Sequence, residues 1–323
     1  MKKDICAICI CVCLLSCMAG CSRHAGETDH GSKIAFITMM QGGQVWGEIK
    51  NGARIARDEI GCQVDFFAPV NETDSRQQAV YVRQAVEAGY DAIVIAPSDE
   101  KLLLPPLRTA RSKGIQVLTM YNSIDPSGDL VPVLMTSFTA VGRSLADAVL
   151  PLLVHKSVDC LVIGALLHTT SATEVTRGIR EEFEQYPDVQ LQTAYCFGDS
   201  NKAASITGKK LSEDKETNLL VALDETSSDG ILQALDKLQN GRGKDLVVVV
   251  WGNSLANLQG FENGIVDAIV AINGYGMGYR SIYAAMDLLH GKTMPDIPVE
   301  YAVVTKENFM DDNIQKLLFP QIN

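Results

Sequence analysis

The sequence predicts an α/β protein made of two doubly wound, parallel-sheet lobes of Rossmann-like order, one following the other along the chain. Three observations carry that expectation. Apolar runs of strand length alternate with amphipathic runs of helix length from Lys33 onward. The strand runs are continuously apolar, which marks a parallel sheet covered on both faces. The cycle also starts afresh after VPVLMTSF, residues 131–138.

The elements follow in order. KIAFITM precedes a helix over 46–60, QVDFFAP one over 75–88 and DAIVIAP one over 102–113, and IQVLTMY closes the first set. After the joining segment comes a helix over 141–153. VDCLVIGAL then leads to a helix over 176–185, VQLQTAYCF to one over 202–211 and TNLLVAL to one over 228–239, with DLVVVVWG last. Each helical stretch repeats its apolar residues at three- and four-residue spacing, as a helix lying on a sheet requires. No short-period repeat is present, but the two halves echo one another in βα order.

The chain starts outside this pattern. MKKDICAICICVCLLSCMAGCSR places Lys2 and Lys3 before an uncharged stretch of about 16 residues, short of the roughly 20 that a spanning helix needs. It reads as a signal peptide over 1–20, removed from the mature protein. Cys17-Met18-Ala19-Gly20 before Cys21 resembles the lipobox of bacterial lipoproteins, which implies a lipid on Cys21 and a chain tethered outside the cytoplasmic membrane. Polar residues, SRHAGETDHGS, make 21–32 a flexible tether. Removing 20 of the 323 residues leaves 303, enough for two domains.

Charge and cysteine content exclude several classes. The leader carries Lys2, Lys3 and Asp4, so the remainder of a chain of net charge −11 stands at −12. An acidic surface argues against nucleic acid, which selects a basic face. Of 9 Cys, five lie in the leader, and Cys62, Cys160 and Cys196 have no C-x-x-C spacing. They form neither a disulfide scaffold nor a zinc site and are expected as buried small hydrophobes. Cys160 begins one strand and Cys196 ends the next, so a bridge between them is not expected. The histidines His24, His30, His155, His168 and His290 have no metal-ligand spacing.

Cofactor and nucleophile motifs fail on inspection. Gly42, Gly43 and Gly47 do not fit the dinucleotide pattern, and Gly274, Gly276 and Gly278 are followed by Tyr279 where the last glycine belongs. Gly291-Lys292-Thr293 has the tail of a phosphate loop but Met286 at its first glycine position. Trp251-Gly252-Asn253-Ser254-Leu255-Ala256 resembles a nucleophile elbow with Ala256 replacing the closing glycine. Ser254 is read as the N-cap of the following helix. No catalytic residue, metal or cofactor is assigned.

What remains is a fold that binds at the crevice outside the carboxyl ends of its strands. VWGEIKNGARIARDEIG, QAVEAGYDAIVIAPSDE, ARSKGIQVLTMYN, TEVTRGIREEF, LDETSSDGILQAL and FENGIVDAIVAINGYGMGYRSIYAAMDLLHGK, with IPVEYAVVTKEN near the end, resemble the type I periplasmic binding proteins of the ribose/galactose class. The resemblance covers nearly the whole mature chain. It implies a three-segment hinge between an N-terminal lobe, 33–136 plus 274–298, and a C-terminal lobe, 137–273 plus 299–323. It also implies a monomeric, non-catalytic lipoprotein that closes on a small sugar-like ligand and hands it to ABC permease subunits. A sensor that presents its bound form to a membrane histidine kinase or chemoreceptor is equally compatible.

The site residues follow from the same resemblance. Trp46 matches the family's aromatic at the first strand-to-helix loop, beside Gln44; an indole face suits the apolar C–H face of a pyranose. Tyr121-Asn122 stands where sugar-binding relatives place an Asp-Arg pair, and Thr173 where they place an Arg, with Arg177 displaced along the helix. Asp224 replaces an Asn, Gly252 replaces an Asp with Asn253 beside it, and Asn273 takes the late hinge position. With charged clamps largely missing, the pocket is expected to be neutral and aromatic, with Asp224 as its main charge.

Overall fold

The computed structural model describes residues 31–124, 133–153, 157–167, 169–186, 188–238, 246–294 and 296–320. The leader and Cys21 lie outside the described residues. Among the described residues the strands form two six-stranded sheets. The first has the order β11-β5-β4-β3-β1-β2, with β1 Lys33–Ile37, β2 Gln63–Phe67, β3 Ala92–Ile95, β4 Gln116–Met120, β5 Val133–Met135 and β11 Ile297–Pro298. The second has the order β12-β10-β9-β8-β6-β7, with β6 Ser157–Gly164, β7 Asp188–Tyr195, β8 Leu219–Ala222, β9 Val247–Trp251, β10 Ala268–Ile272 and β12 Tyr301–Val304.

The apolar runs produce this arrangement because their side chains are buried on both faces. All four residues of β3 and of β8 and all five of β9 are buried. Such strands must be covered by helices on each side. Helices α1 Gln44–Ile60, α2 Ser75–Glu87 and α3 Glu100–Ser112 follow strands of the first sheet, joined late in the chain by α9 Gly274–Leu289. In the second half the helices are α4 Phe138–Val149, α5 Thr170–Phe183, α6 Ser200–Glu213, α7 Glu225–Asp236, α8 Leu255–Glu262 and α10 Asp312–Leu318.

Helices α1 and α9 cross at near backbone contact. A Cβ on Gly278 would lie 1.8 Å from the Ile49 carbonyl oxygen, and one on Gly52 would lie 2.0 Å from that of Tyr275. The glycines of NGAR and GMG therefore let a helix from the end of the chain seat against the first one. Through that contact α9 belongs with the first sheet, although the strand before it, β10, lies in the second. The chain passes between the sheets three times: after β5, after β10 and between β11 and β12.

The structure departs from the sequence reading in four places. The segment 131–138 contributes β5, a short strand of the first sheet, in addition to joining the halves. Strand β12 runs antiparallel to β10, the exception in an otherwise parallel sheet. Strand β7 is an edge strand with only intermediate or exposed residues, not a continuously buried one. Helix α5 begins at Thr170, six residues earlier than expected, because Thr169 caps it by accepting a bond from the Ala172 N–H at 3.3 Å. A Thr/Ser-rich run reads locally as a loop and is helical here by virtue of that cap. Cys62, Cys160 and Cys196 are buried and unbridged. No helix among the described residues is long and apolar enough to cross a membrane.

Candidate functional site

The carboxyl ends of the two sheets face one another, and the residues just beyond the strands wall a cleft. From the first sheet come Met39 after β1, Glu72 after β2 and Tyr121 after β4; from the second come Thr169 after β6, Asp224 after β8 and Trp251 at the end of β9. The free volume between them is about 40 Å³. That is far below the roughly 300 Å³ at the low end of small-molecule pockets. A ligand therefore enters by parting the lobes or turning the rings that fill the space.

Those rings form a chain across both halves. Trp46, third residue of α1, lies 5.2 Å from Tyr121, which lies 5.5 Å from Phe138, which lies 6.3 Å from Trp251. Tyr121 has φ 66°, a left-handed backbone that a bulky residue rarely adopts. Its hydroxyl accepts a bond from the Trp251 indole N–H at 3.1 Å, tying a strand end of one sheet to a strand end of the other. Burial pushes the Tyr121 phenol far up, so it stays neutral.

Carboxylates form the polar part. Asp224 N-caps α7: one oxygen accepts from the Ser227 N–H at 2.7 Å and the other from the Ala165 N–H at 2.5 Å. Glu225, the next residue, reaches across to the first lobe and accepts from the Gln44 N–H at 2.8 Å and the Val45 N–H at 2.9 Å. It supplies the cap that α1 lacks, since Gly43 at its N-terminus has no side chain to do so. A Cβ on Gly43 would lie 2.6 Å from one Glu225 oxygen, and one on Gly252 would lie 3.0 Å from the other. Both glycines sit at positive φ and leave room for this carboxylate. Glu72 is 6 % exposed and accepts from the Thr226 hydroxyl at 2.9 Å. Burial first, then the Asp224 charge, pushes its carboxyl up to about 8. Burial also raises Asp224 and Glu225.

The cleft thus brings together Trp46, Tyr121 and Asp224. The other expected site residues lie around it. Asn122 is buried beside it and ties the lobes, its carbonyl oxygen accepting from the Ser171 N–H at 3.0 Å. Gln44 and Asn253 both donate to Glu48, at 3.1 and 2.7 Å, beside a separate cavity. Asn273 caps α9 and donates to Glu300 at 2.9 Å, where the chain changes sheet. Thr173 is exposed on α5, whose Ser171 and Ala172 face the cleft instead. Arg177 is bound to Glu174 on the surface and brings no guanidinium inward.

One expectation is corrected. The pocket is aromatic but acidic, because Glu72 and Glu225 join Asp224, and among the described residues no Lys, Arg or His lines it. Asp224, expected as the main charge, has both oxygens committed to backbone N–H groups and shares the pocket with two further acids. Sequence reasoning missed Glu72 because NETD reads as a solvated turn, and Glu225 because an acid in the first turn of a helix is ordinary. Ser254 accepts from the Asn257 N–H at 3.2 Å as the N-cap of α8.

A family model described as "Periplasmic binding protein domain" matches residues 34–293. The chain belongs to the periplasmic binding proteins. This places it outside the cytoplasm. Among curated relatives, this periplasmic binding protein is 24 % identical to the D-ribose/D-allose-binding protein of Pseudomonas aeruginosa over 275 residues, covering 83 % of this chain and 85 % of the relative. It is 24 % identical to the D-allose-binding periplasmic protein of Escherichia coli over 272 residues, covering 82 % and 87 %. A solved ABC transporter solute-binding protein from Agrobacterium vitis, bound with α-D-tagatopyranose, is 20 % identical with a TM-score of 0.82 over 88 % of this chain and 98 % of that one. These relatives are named as binding proteins, not enzymes.

Proposed function

We propose that this periplasmic binding protein captures a small polyhydroxylated, sugar-like solute in the inter-lobe cleft and delivers it to an ABC permease. The observation that carries the reading is a cavity walled by Trp46, Tyr121 and Trp251 from both sheets, with hydrogen-bonding groups at the strand ends around it. Aromatic faces match the C–H faces of a sugar ring, and the polar groups match its hydroxyls. The names of the relatives support a sugar. Closure about the three crossings would bring the lobes, 33–136 plus 274–298 and 137–273 plus 299–323, together on the ligand.

A thermal-shift screen followed by calorimetry tests this with D-ribose, D-allose, D-arabinose and D-tagatose, together with hexoses and their amino derivatives. At least one is expected to raise the unfolding temperature and to bind with a Kd below about 100 μM, more than about 5 kcal/mol of binding free energy. Absence of binding by every one of them at millimolar concentration overturns the reading.

The chain acts as a monomer held to the outer face of the cytoplasmic membrane by lipid on Cys21. Cys21→Ala is expected to move the protein from the membrane fraction to the soluble one. Retention in the membrane with the leader uncleaved would show that 1–20 is itself the anchor.

A further inference from the structure

The cleft holds more carboxyl groups than a neutral solute calls for. Asp224 and Glu225 each use both oxygens on N–H groups of the chain. Glu72 does not. It is 6 % exposed and lines the cavity, and one of its oxygens accepts from Thr226. The other has no hydrogen-bond partner among the described residues. A carboxyl oxygen that opens on the cavity without a partner suits a ligand that brings a donor to it, and among the described residues no cationic side chain lines the cavity to do so.

Two further features indicate what that donor is. The rings of Trp46, Tyr121 and Trp251 wall the same cavity, and aromatic faces attract cations as well as C–H groups. Among the described residues, no group of three His, Cys, Asp or Glu side chains is placed to hold a metal ion. The acids are distributed along the cleft and committed elsewhere, which suits one charged nitrogen on a larger organic molecule.

We propose that the cleft selects a solute carrying a protonated amine, an amino sugar or amino polyol, whose ammonium group donates to Glu72 while its apolar face lies on Trp46. The inference rests on the reading that this cleft captures a polyhydroxylated solute, and it names the chemical class. With hydroxyls alone the Glu72 carboxyl keeps its proton at pH 7, because burial and the Asp224 charge push it up to about 8. An ammonium group favours the ionised form of Glu72, whose proton passes to solvent, and donates to the free oxygen; a charge-assisted bond in a desolvated site corresponds to about a 10- to 100-fold gain in affinity.

Calorimetric titration at pH 7 with matched pairs tests it: D-glucosamine against D-glucose, D-galactosamine against D-galactose and D-mannosamine against D-mannose, with the N-acetyl derivatives as neutral controls that keep the nitrogen. In at least one pair the amine is expected to bind at least tenfold more tightly than both neutral forms. In Glu72→Gln, which keeps the Thr226 bond, the affinity ratio within that pair should fall toward one. If a neutral sugar, whether from these pairs or among D-ribose, D-allose, D-arabinose and D-tagatose, binds as tightly as any amine or more so, the ammonium assignment is overturned while sugar capture stands. An amine advantage that survives Glu72→Gln removes Glu72 from the assignment and overturns it. If neither amines nor neutral sugars bind, both readings fall together.

Discussion

Trp46→Ala weakens binding of the solute found in the sugar screen by roughly 30- to 1000-fold, the equivalent of about 2–4 kcal/mol of lost stacking and buried area. The expectation follows from where the ring sits. Trp46 is 6 % exposed, borders the cavity and leans on Tyr121 at 51°. Truncation removes the surface on which a sugar face would lie and also loosens the Tyr121 ring behind it. Calorimetry reads the affinity, and thermal unfolding confirms that the variant is folded, since losing a buried indole costs the fold about 3–5 kcal/mol as well. Trp46→Phe keeps part of the ring and should lie between wild type and Ala. Trp251 also lines the cavity and is the second of the 2 tryptophans, so the ligand-induced fluorescence change should shrink in Trp46→Phe without vanishing. Unchanged affinity in a cooperatively folded Trp46→Ala would make Trp46 a packing residue only.

Glu72→Gln becomes more stable than wild type as pH rises. The carboxyl of Glu72 titrates near 8 in the folded protein because burial and the Asp224 charge disfavour ionisation, whereas an unfolded glutamate titrates near 4.5. Between those values the native state holds a proton that the unfolded chain has released. Unfolding free energy therefore falls as pH rises through this window and levels off above about 8. The glutamine carries no such titration. The stability difference between variant and wild type should thus be small at pH 5 and reach about 2–4 kcal/mol at pH 8.5, or about 4–8 °C in unfolding temperature. Melting curves of both proteins at the two pH values check this. Parallel loss of stability in the two would refute the assignment of the slope to Glu72. The fold bears this cost in a group that points into the cleft, which is consistent with a binding role.

Much of the architecture is legible in the residues. Runs such as AIVI and VVVVW are apolar without alternation because both faces of their strands are covered, and that local fact determines a parallel, doubly wound sheet. The position of Trp46 was legible for a similar reason: a strand end followed by two glycines and an aromatic at a helix start places a ring at the crevice. The partners of that ring were not. Glu72 and Glu225 become site residues only when two sheets distant in sequence face each other, and nothing local distinguishes them from surface acids. Thr173 shows the opposite failure. A positional match to relatives selected it, but the helix starts earlier than its Thr/Ser-rich opening suggests, and it is Ser171 and Ala172 that face the cleft.

Glu225 joins the first turn of α1 to the opposite lobe, and Glu48 with Asn253, Glu72 with Thr226, and Asn122 with Ser171 add further ties made by the chain alone. These ties favour the shut arrangement even without a solute, so solute entry is expected to wait on their breaking. In rapid mixing, the observed binding rate should climb with solute concentration only until it meets the opening rate and then stay flat. The speed of uptake at high supply is then written into a carboxylate and two backbone amides, independently of how well the solute fits.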